Sequence, residues 1–597
     1  MALIVQKYGG TSVSTIERIF TATRRIIKTV QAGHSVVVVV SAMGNTTDEL
    51  LSVAKQIATN PPQRELDLLL TTGEQVSSAL MSMALQSQGQ PAIALTGMQV
   101  SIITEANHTR ARILHVETKR LRHHLGEGKV IIIAGFQGIS SKKDLEVTTL
   151  GRGGSDTTAV AIAAALEANL CEIYTDVSGI FTTDPRIVRE AQVLEKITCE
   201  EMLELASLGA KVLHPRAVEI AYNYGIPVVV CSSLQEGRGT LVVPPPFRRK
   251  PGQDLEIFNS VSCVKLARDL VKVTLLNVTA CTKAVVYIFE ELAAVAISVD
   301  LIVRSSDIGN INEITFTVHR CDAPLAVQIV KTTAVALGEF ETVVTSQVAK
   351  VSIVGAGMIG RPGVAAQMFA ALEELGINSQ LISTSEIKIS CIINAEDGDK
   401  AALALCQSFG VDYSVEASPS SAKNLKPSVR GVALDESQVR LTVIQVPNIP
   451  GYIAQLFQTL AQERISVDVI VQSQDLTKEG EVSTRNIHFS VAQEDAYYAC
   501  RALEPLIQLL GCGSVIVDNK IAKVSVVGIG IAKQPSITTQ IFHALTNVGI
   551  DIKAIATSES KISCWIAKSD GVKALQSLHR VFNLEQVVLS NDHICSV

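Results

Sequence analysis

The chain has 597 residues, 47% hydrophobic and 18% charged, with a formal net charge of -6. This length can bury several cores, while the mild negative charge gives no electrostatic case for nucleic acid. Twelve scattered cysteines with no CxxC spacing, apolar runs no longer than a strand, and an opening "MALIVQK" exclude a zinc framework, a disulfide scaffold, a membrane span and a signal peptide, and point to the cytoplasm.

Residues 1–243 alternate short branched strands, such as "SVVVVVSAM" (35–43), "KVIIIAGF" (129–136) and "IPVVVCSS" (226–233), with helices such as "TTAVAIAAALEA" (157–168). Nearly all-apolar strands separated by helices predict a sheet covered on both faces, an α/β/α layered domain. Its first strand runs into "QKYGGTSV" (6–13). Gly9 and Gly10 let backbone amides approach an oxyanion, the next helix offers its N-terminus, and Lys7 supplies mobile positive charge. The spacing is not that of a Walker A loop, and a plain strand-to-helix turn remains open for this motif alone.

Further loops follow at strand ends. "SAMGNTTDEL" (41–50) carries hydroxyls, and "TTGEQVSSALM" (71–81) sets Glu74 just ahead of a helix, suited to the dipole or to an ammonium. "TTLGRGGSDTTA" (148–159) is a second glycine-rich loop with Arg152, Ser155 and Asp156. Arginine suits a carboxylate held bidentately, and Asp156 can orient Lys7 or a metal-bound water. "YTDVSGIFTTDPR" (174–186) brings Thr175, Asp176, Asp184 and Arg186, and "GAKVLHPRA" (209–217) brings Lys211. His214, in an apolar context, reads as structural. Loops at the carboxyl ends of strands share one crevice in open α/β sheets, so these stretches suggest a nucleotide and a small zwitterion.

A proline-rich linker (244–260) precedes a repeat. "VTLLNVTACTKAVVYIFEELAAVAISVDLIVRS" (273–305) aligns without a gap to 441–473, so that Asp300 matches Asp468. "VSIVGAGMIG" (351–360) and its continuation to Cys391 align to 524–564. The two types alternate as unit A (261–345), unit B (346–417), a seam (418–428), unit A′ (429–517) and unit B′ (518–597), each a small α+β sandwich. "VGAGMIG" (354–360) matches a dinucleotide fingerprint, but the unit is too small for a doubly wound sheet. It also lacks the ribose-binding acid roughly 20 residues on, and "GIGIAKQ" in B′ loses the third glycine.

In this order, the six loop motifs resemble those of the aspartokinases of the amino-acid kinase family, and the four repeats resemble βαββαβ-like ACT domains, which bind amino-acid effectors. The resemblance spans essentially the whole chain and is that of a long monofunctional form. It implies ATP- and Mg²⁺-dependent phosphorylation of the L-aspartate β-carboxylate, opening the route to lysine, threonine and methionine, in a homodimer or higher homo-oligomer. It assigns phosphoryl contacts to Lys7, Tyr8, Gly9 and Gly10, with Asp156 holding Lys7. It assigns the substrate to Ser41, Thr47, Glu74, Arg152, Gly153, Gly154 and Ser155, with Arg152 on the α-carboxylate and Glu74 on the ammonium. The nucleotide side takes Thr175, Asp176, Phe181, Asp184, Arg186 and Lys211.

For effectors (lysine or threonine) the resemblance implicates the loop "PNIPG" (447–451) of A′ with Asn448 and Gly451, together with Gln472 and Ser473. On the B type it implicates Met358, Ile377 and Asn378, with Gly528, Ile550 and Asp551 in B′. Unit A carries Ala280 and Lys283 where A′ has Asn448 and Gly451. The expectation is therefore that the A′ loop forms the better-preserved site with B′. A different superfamily kinase, an amino-acid sensor with an inactive kinase domain, and a dehydrogenase are the competing readings.

Overall fold

A computed structural model describes residues 1–141, 143–208, 212–246, 255–256, 260–276, 278, 282–306, 312–337, 340–358, 361–416, 429–472, 483–531 and 534–585. The chain forms two compact units. The first comprises residues 1–181, 193–206 and 210–258, and the second 182–192, 207–209 and 259–597.

The first unit is built on an eight-stranded sheet among the described residues. Its order is Lys196–Thr198, Thr240–Val243, Val228–Ser232, Leu170–Thr175, Leu3–Tyr8, Ser35–Val40, Val130–Ala134 and Ala92–Leu95. The six strands from Val228–Ser232 to Ala92–Leu95 are parallel throughout. Their valine and isoleucine runs are buried on both faces, as parallel strands under helices require. The helix Ile16–Gln31 shows the opposite pattern, buried at Ile19, Ala22, Thr23 and Ile26 alone, and Thr15 caps it by accepting from Arg18 N–H. A second, four-stranded sheet (Ile113–Val116, Ile102–Thr104, Gln137–Ile139, Val147–Thr149) leads into the glycine-rich loop at 151–154.

In the second unit the repeats take the order strand, helix, two strands, helix, strand. In A these are Cys263–Leu276, Thr282–Ala294, Val299–Ser306, Asn312–His319, Ala323–Leu337 and Glu341–Val354. The strands Cys263–Leu276 and Glu341–Val354 run through both A and B. Their outer halves pair from Leu270 onward, and residues 263–267 pair with 350–354. The equivalent of 263–267 in the second half is Gly431–Asp435, which joins the sheet of B′ by pairing with Ile521–Val527. Residues 431–435, expected within A′, are therefore a strand of the B′ sheet, with Gly431, Val432, Ala433 and Asp435 buried there.

The units pair crosswise. Strand Val299–Ser306 of A hydrogen-bonds Ala554–Thr557 of B′, and Phe289 of A meets Phe542 of B′ at 5.4 Å. Phe369 of B stacks on Phe457 of A′ at 5.5 Å. One apolar core joins A to B′ and another joins B to A′. Gly355, the first glycine of the fingerprint-like "GAGMIG", has a structural cause. A β-carbon there would fall 2.3 Å from the carbonyl oxygen of Ser260, so the glycine serves a close backbone approach.

Candidate active site

Lys7 is the penultimate residue of the central strand Leu3–Tyr8, and Asp156 lies in the first turn of the buried helix Gly154–Leu166. Their side chains, each 11% exposed, form an ion pair with Lys7 Nζ 2.6 Å from Asp156 Oδ1. Gly9 leaves room for that ammonium, since a β-carbon would sit 3.3 Å from Lys7 Nζ. Its amide, however, donates to the Tyr174 carbonyl at 3.2 Å. The expected pair of free glycine amides is thus reduced, because the chain keeps its sheet pairing with Leu170–Thr175 for one residue beyond the strand. Gly10 opens a 3-10 turn, Gly10–Val13, and the helix begins only at Ile16. A β-carbon on Gly10 would meet the Ala42 carbonyl at 2.8 Å, so the loops after the first two strands interlock. Gly44 N–H to the Gly10 carbonyl, 3.0 Å, closes this contact. Tyr8 is buried and stacks on Tyr174 at 4.8 Å, turning its ring into the core.

Glu74, in the first turn of helix Thr72–Ser87, is buried at 3% exposure. Its Oε1 accepts the Ala42 amide at 3.1 Å, while its buried Oε2 has no hydrogen-bond partner among the described residues. Burial, opposed by the Ala42 hydrogen bond, pushes its carboxyl up to about 7. Ser41 lies beside it, its carbonyl accepting from Ser77 Oγ at 2.8 Å, and Thr47 stands half-buried in the first turn of helix Thr46–Ile57.

The second glycine loop exposes Arg152 to solvent, while Gly154, Ser155 and Asp156 are buried. Gly153 has φ +70°, and a β-carbon there would fall 2.3 Å from the His214 ring. His214 caps helix Pro215–Tyr224, its Nδ1 accepting from Arg216 N–H at 3.3 Å. Burial, with the Arg216 charge nearby, lowers its pKa, so it stays neutral. Asp67, fully buried, was not singled out in the sequence. It accepts from Thr149 Oγ1 (2.5 Å) and Thr109 N–H (3.0 Å) and meets His108 Nδ1 at 2.8 Å, anchoring the strand that feeds the loop. Arg216, equally unnoticed, donates to the Leu150 carbonyl. An arginine in the first turn of a helix opposes the dipole and signals a dedicated partner.

On the other side of the first strand, Thr175 Oγ1 donates to Asp176 Oδ1 at 3.1 Å, and Phe181 pairs with Val193 across an isolated bridge. Asp184 and Arg186 belong to the second unit, where Arg186 Nη2 pairs with Asp184 Oδ2 at 2.6 Å. Hydrogen bonds from Arg186 hold the Asp184 carboxyl below its usual range. Lys211 lies outside the described residues.

In the second unit, Asn378 Nδ2 of B donates to Asn448 Oδ1 of A′ at 2.6 Å. Arg485 of A′ donates to the Ser379 carbonyl (2.9 Å) and to Asn378 Oδ1 (3.1 Å), and Gln472 Nε2 reaches the same carbonyl at 3.3 Å. Asn378, Ser379 and Arg485 line a small open groove with Glu373, Ile377 and Gly451 in its wall. The A′ loop therefore faces B. The expected partnership of that loop with B′ is corrected here: Phe369 and Phe457 seal B onto A′, whereas B′ is taken by A. Asp551 of B′ lies 3.7 Å from Arg304 of A, and Ile550 sits in the A–B′ core. Met358 packs inside the B–A′ core. Gly528 continues the sheet edge of B′, its amide donating to the Ser560 carbonyl at 3.0 Å. Ser473, Ala280 and the side chain of Lys283 lie outside the described residues.

The chain matches the amino acid kinase family over residues 2–232 and the ACT domain over 351–409, 441–505 and 524–582. Unit A lies outside those matches. The aspartokinase of Geobacillus stearothermophilus is 47% identical over 411 residues, which are 69% of this chain and 98% of that protein. Aspartokinase 2 of Bacillus subtilis is 49% identical over 410 residues, 68% of this chain and 98% of that protein. The crystal structure of aspartate kinase from Synechocystis matches with a TM-score of 0.86 at 49% identity, covering 99% of this chain and 100% of that one.

Proposed function

The chain belongs to the aspartokinase family, and from that premise we propose that it transfers the γ-phosphoryl group of ATP to the β-carboxylate of L-aspartate, giving 4-phospho-L-aspartate and ADP. The observation that carries this reading is the buried Lys7–Asp156 pair set between two glycine-rich loops. On one side of it a Glu74 oxygen with no partner among the described residues suits an ammonium, and on the loop itself an exposed Arg152 suits a carboxylate.

The acceptor is a carboxylate with a free pKa near 4, so it is ionised at neutral pH and needs no general base. A carboxylate oxygen attacks the γ-phosphorus, the bond to the β–γ bridging oxygen breaks, and ADP leaves with that electron pair. Lys7 neutralises charge on the phosphoryl oxygens in the transition state, and Asp156 keeps the ammonium from swinging away. Arg152 and Glu74 hold the α-carboxylate and ammonium so that the β-carboxylate alone reaches the phosphorus. Ser41, Thr47 and Ser155 complete the acceptor wall, and Thr175, Asp176 and Phe181 the nucleotide side. Magnesium enters as the partner of the ATP phosphates. The one acid–histidine trio among the described residues, His123, His124 and Glu127, lies at the C-terminal end of helix Lys119–Gly126.

The groove between B and A′ is read as an effector site for lysine or threonine, with Asn378 and Arg485 in its wall and Asn448 and Gln472 bonded to Asn378 and Ser379 beside it. Assembly is read as a homodimer or higher homo-oligomer, in the cytoplasm. No helix of the described residues is long and apolar enough to cross a membrane. The test is ADP release with ATP and each of L-aspartate, L-glutamate and no acceptor. Release only with aspartate supports the reading. Equal release with glutamate favours another kinase of the superfamily, and none at all favours a sensor with an inactive catalytic unit.

A further inference from the structure

The loop that carries Arg152 is held from outside its own helix. Arg216 commits its guanidinium to the Leu150 carbonyl through Nη1 (2.5 Å), to the Ala111 carbonyl through Nη2 (2.8 Å), and to both oxygens of Glu256 (2.8 and 2.9 Å). Leu150 immediately precedes Gly151, the first residue of the loop. The Arg216 side chain is 14% exposed and that of Glu256 only 1%.

Glu256 lies in the stretch by which the chain leaves the catalytic unit. Leu255 N–H donates to the Leu114 carbonyl at 2.7 Å, and Glu256 N–H to the Ile113 carbonyl at 2.9 Å. Ile113 N–H in turn donates to Glu256 Oε2 at 2.5 Å. Backbone and side chain together thus fasten this exit segment to Ile113–Val116, while the carboxylate reaches through Arg216 to the substrate loop. The same arginine also donates its backbone N–H to His214, whose ring lies over Gly153. The loop is gripped at Leu150 and at Gly153, on either side of Arg152.

We propose that Arg216 and Glu256 are positioning residues for the acceptor: a buried relay through which the exit segment at 255–256 sets where Arg152 points. The proposal rests on the reading of Arg152 as the clamp on the α-carboxylate. Neither side chain touches substrate; both act through the backbone of the loop. A lysine at 216 keeps the charge, but a single ammonium cannot serve two carbonyls and a bidentate carboxylate in one plane. A glutamine at 256 keeps the shape and one acceptor oxygen, but removes the charge that orders the fork.

The full-length chain with Arg216→Lys and with Glu256→Gln tests this. Aspartate KM, ATP KM and kcat are measured, together with the rate of tryptic cleavage after Arg152. For Arg216→Lys the aspartate KM rises by about tenfold or more, the size of a lost hydrogen bond to a charged group, while the ATP KM stays within about twofold. Glu256→Gln moves the aspartate KM in the same direction by a smaller factor. In both variants Arg152 is cut faster than in the parent, because its loop has lost an anchor.

An aspartate KM unchanged in either folded variant overturns the proposal. So does a rise in both KM values together, which is what general loosening of the unit produces. If Arg216→Lys does not fold, Glu256→Gln decides alone by the same two criteria. Failure of the proposed activity is read separately, from the parent's turnover with aspartate. The cleavage rate needs no substrate and tests the relay in either event: a rate equal to the parent's in both variants overturns it.

Discussion

Lys7 and Glu74 are both buried, yet among the described residues only Lys7 has its charge answered. The Asp156 partner makes Lys7 a fixed positive centre, whereas Glu74 keeps one oxygen without a partner among the described residues and is pushed up to about 7. Two predictions follow from that contrast. Lys7→Ala lowers kcat by about 10² to 10³, the usual loss for a donor acting on transition-state charge, while aspartate binding measured by calorimetry persists. A kcat near that of the parent would return the opening glycine loop to a plain turn.

Glu74 carries a pH signature. Its folded carboxyl is raised, so without substrate it is protonated at acid pH, and a bound ammonium needs it ionised. The aspartate kcat/KM therefore climbs about tenfold per pH unit below 7 and levels off above it, since each unit of titration is worth 1.36 kcal/mol. Glu74→Gln flattens that limb at a lower value. A limb of the same position and slope in the variant would assign the titration to another group.

At the scale of single elements, the strand-to-helix loops decide the chemistry, and most of them were readable. Short apolar strands followed by Gly-Gly or Gly-x-Gly-Gly announce close backbone approaches, and Gly10 and Gly153 meet Ala42 and His214 in just that way. Arg216 and Asp67 were not found, because a charged residue inside an apolar helix pattern reads as a solvated face unless its distant partners are known. Gly9 was read one step too far: its spacing is right for an anion, but the Tyr174 carbonyl claims its amide.

The A′ loop gives an element-scale prediction. Gly451 has φ +97°, and a β-carbon there would fall 1.8 Å from Glu373 Oε1. Gly451→Ala must move the carboxylate or the loop at a conformation that side chains rarely adopt. Calorimetry with lysine and with threonine is expected to show loss of binding at the B–A′ groove while kcat without effector is unchanged. Parent-like affinity for both amino acids would remove this loop from the effector site.

Across the whole molecule, the repeat was plain in the sequence but its partnership was not. Each ACT unit satisfies its own period, so nothing in its pattern says which neighbour covers its helices. Geometry resolves the question through matched aromatic faces, Phe289 on Phe542 and Phe369 on Phe457. The two B-type units are also tied reciprocally: Lys388 of B lies 3.1 Å from Glu559 of B′, and Lys561 of B′ lies 3.9 Å from Glu386 of B. A chain ending at residue 417 would leave the faces of A and B that B′ and A′ now cover open to water. We predict that it self-associates, A of one copy against B of another, in sedimentation. A stable monomer would mean that the crosswise cores contribute little.

If the Lys7–Asp156 site phosphorylates the β-carboxylate of aspartate, the acyl phosphate it forms can be trapped. The full-length chain is incubated with ATP, Mg²⁺, L-aspartate and hydroxylamine, which converts an acyl phosphate to a stable hydroxamate, and the product is identified by mass and fragmentation. The expected product is the β-hydroxamate of aspartate, formed one for one with ADP and lost in Lys7→Ala. ADP released without any hydroxamate, or a hydroxamate on the α-carboxylate, would contradict it.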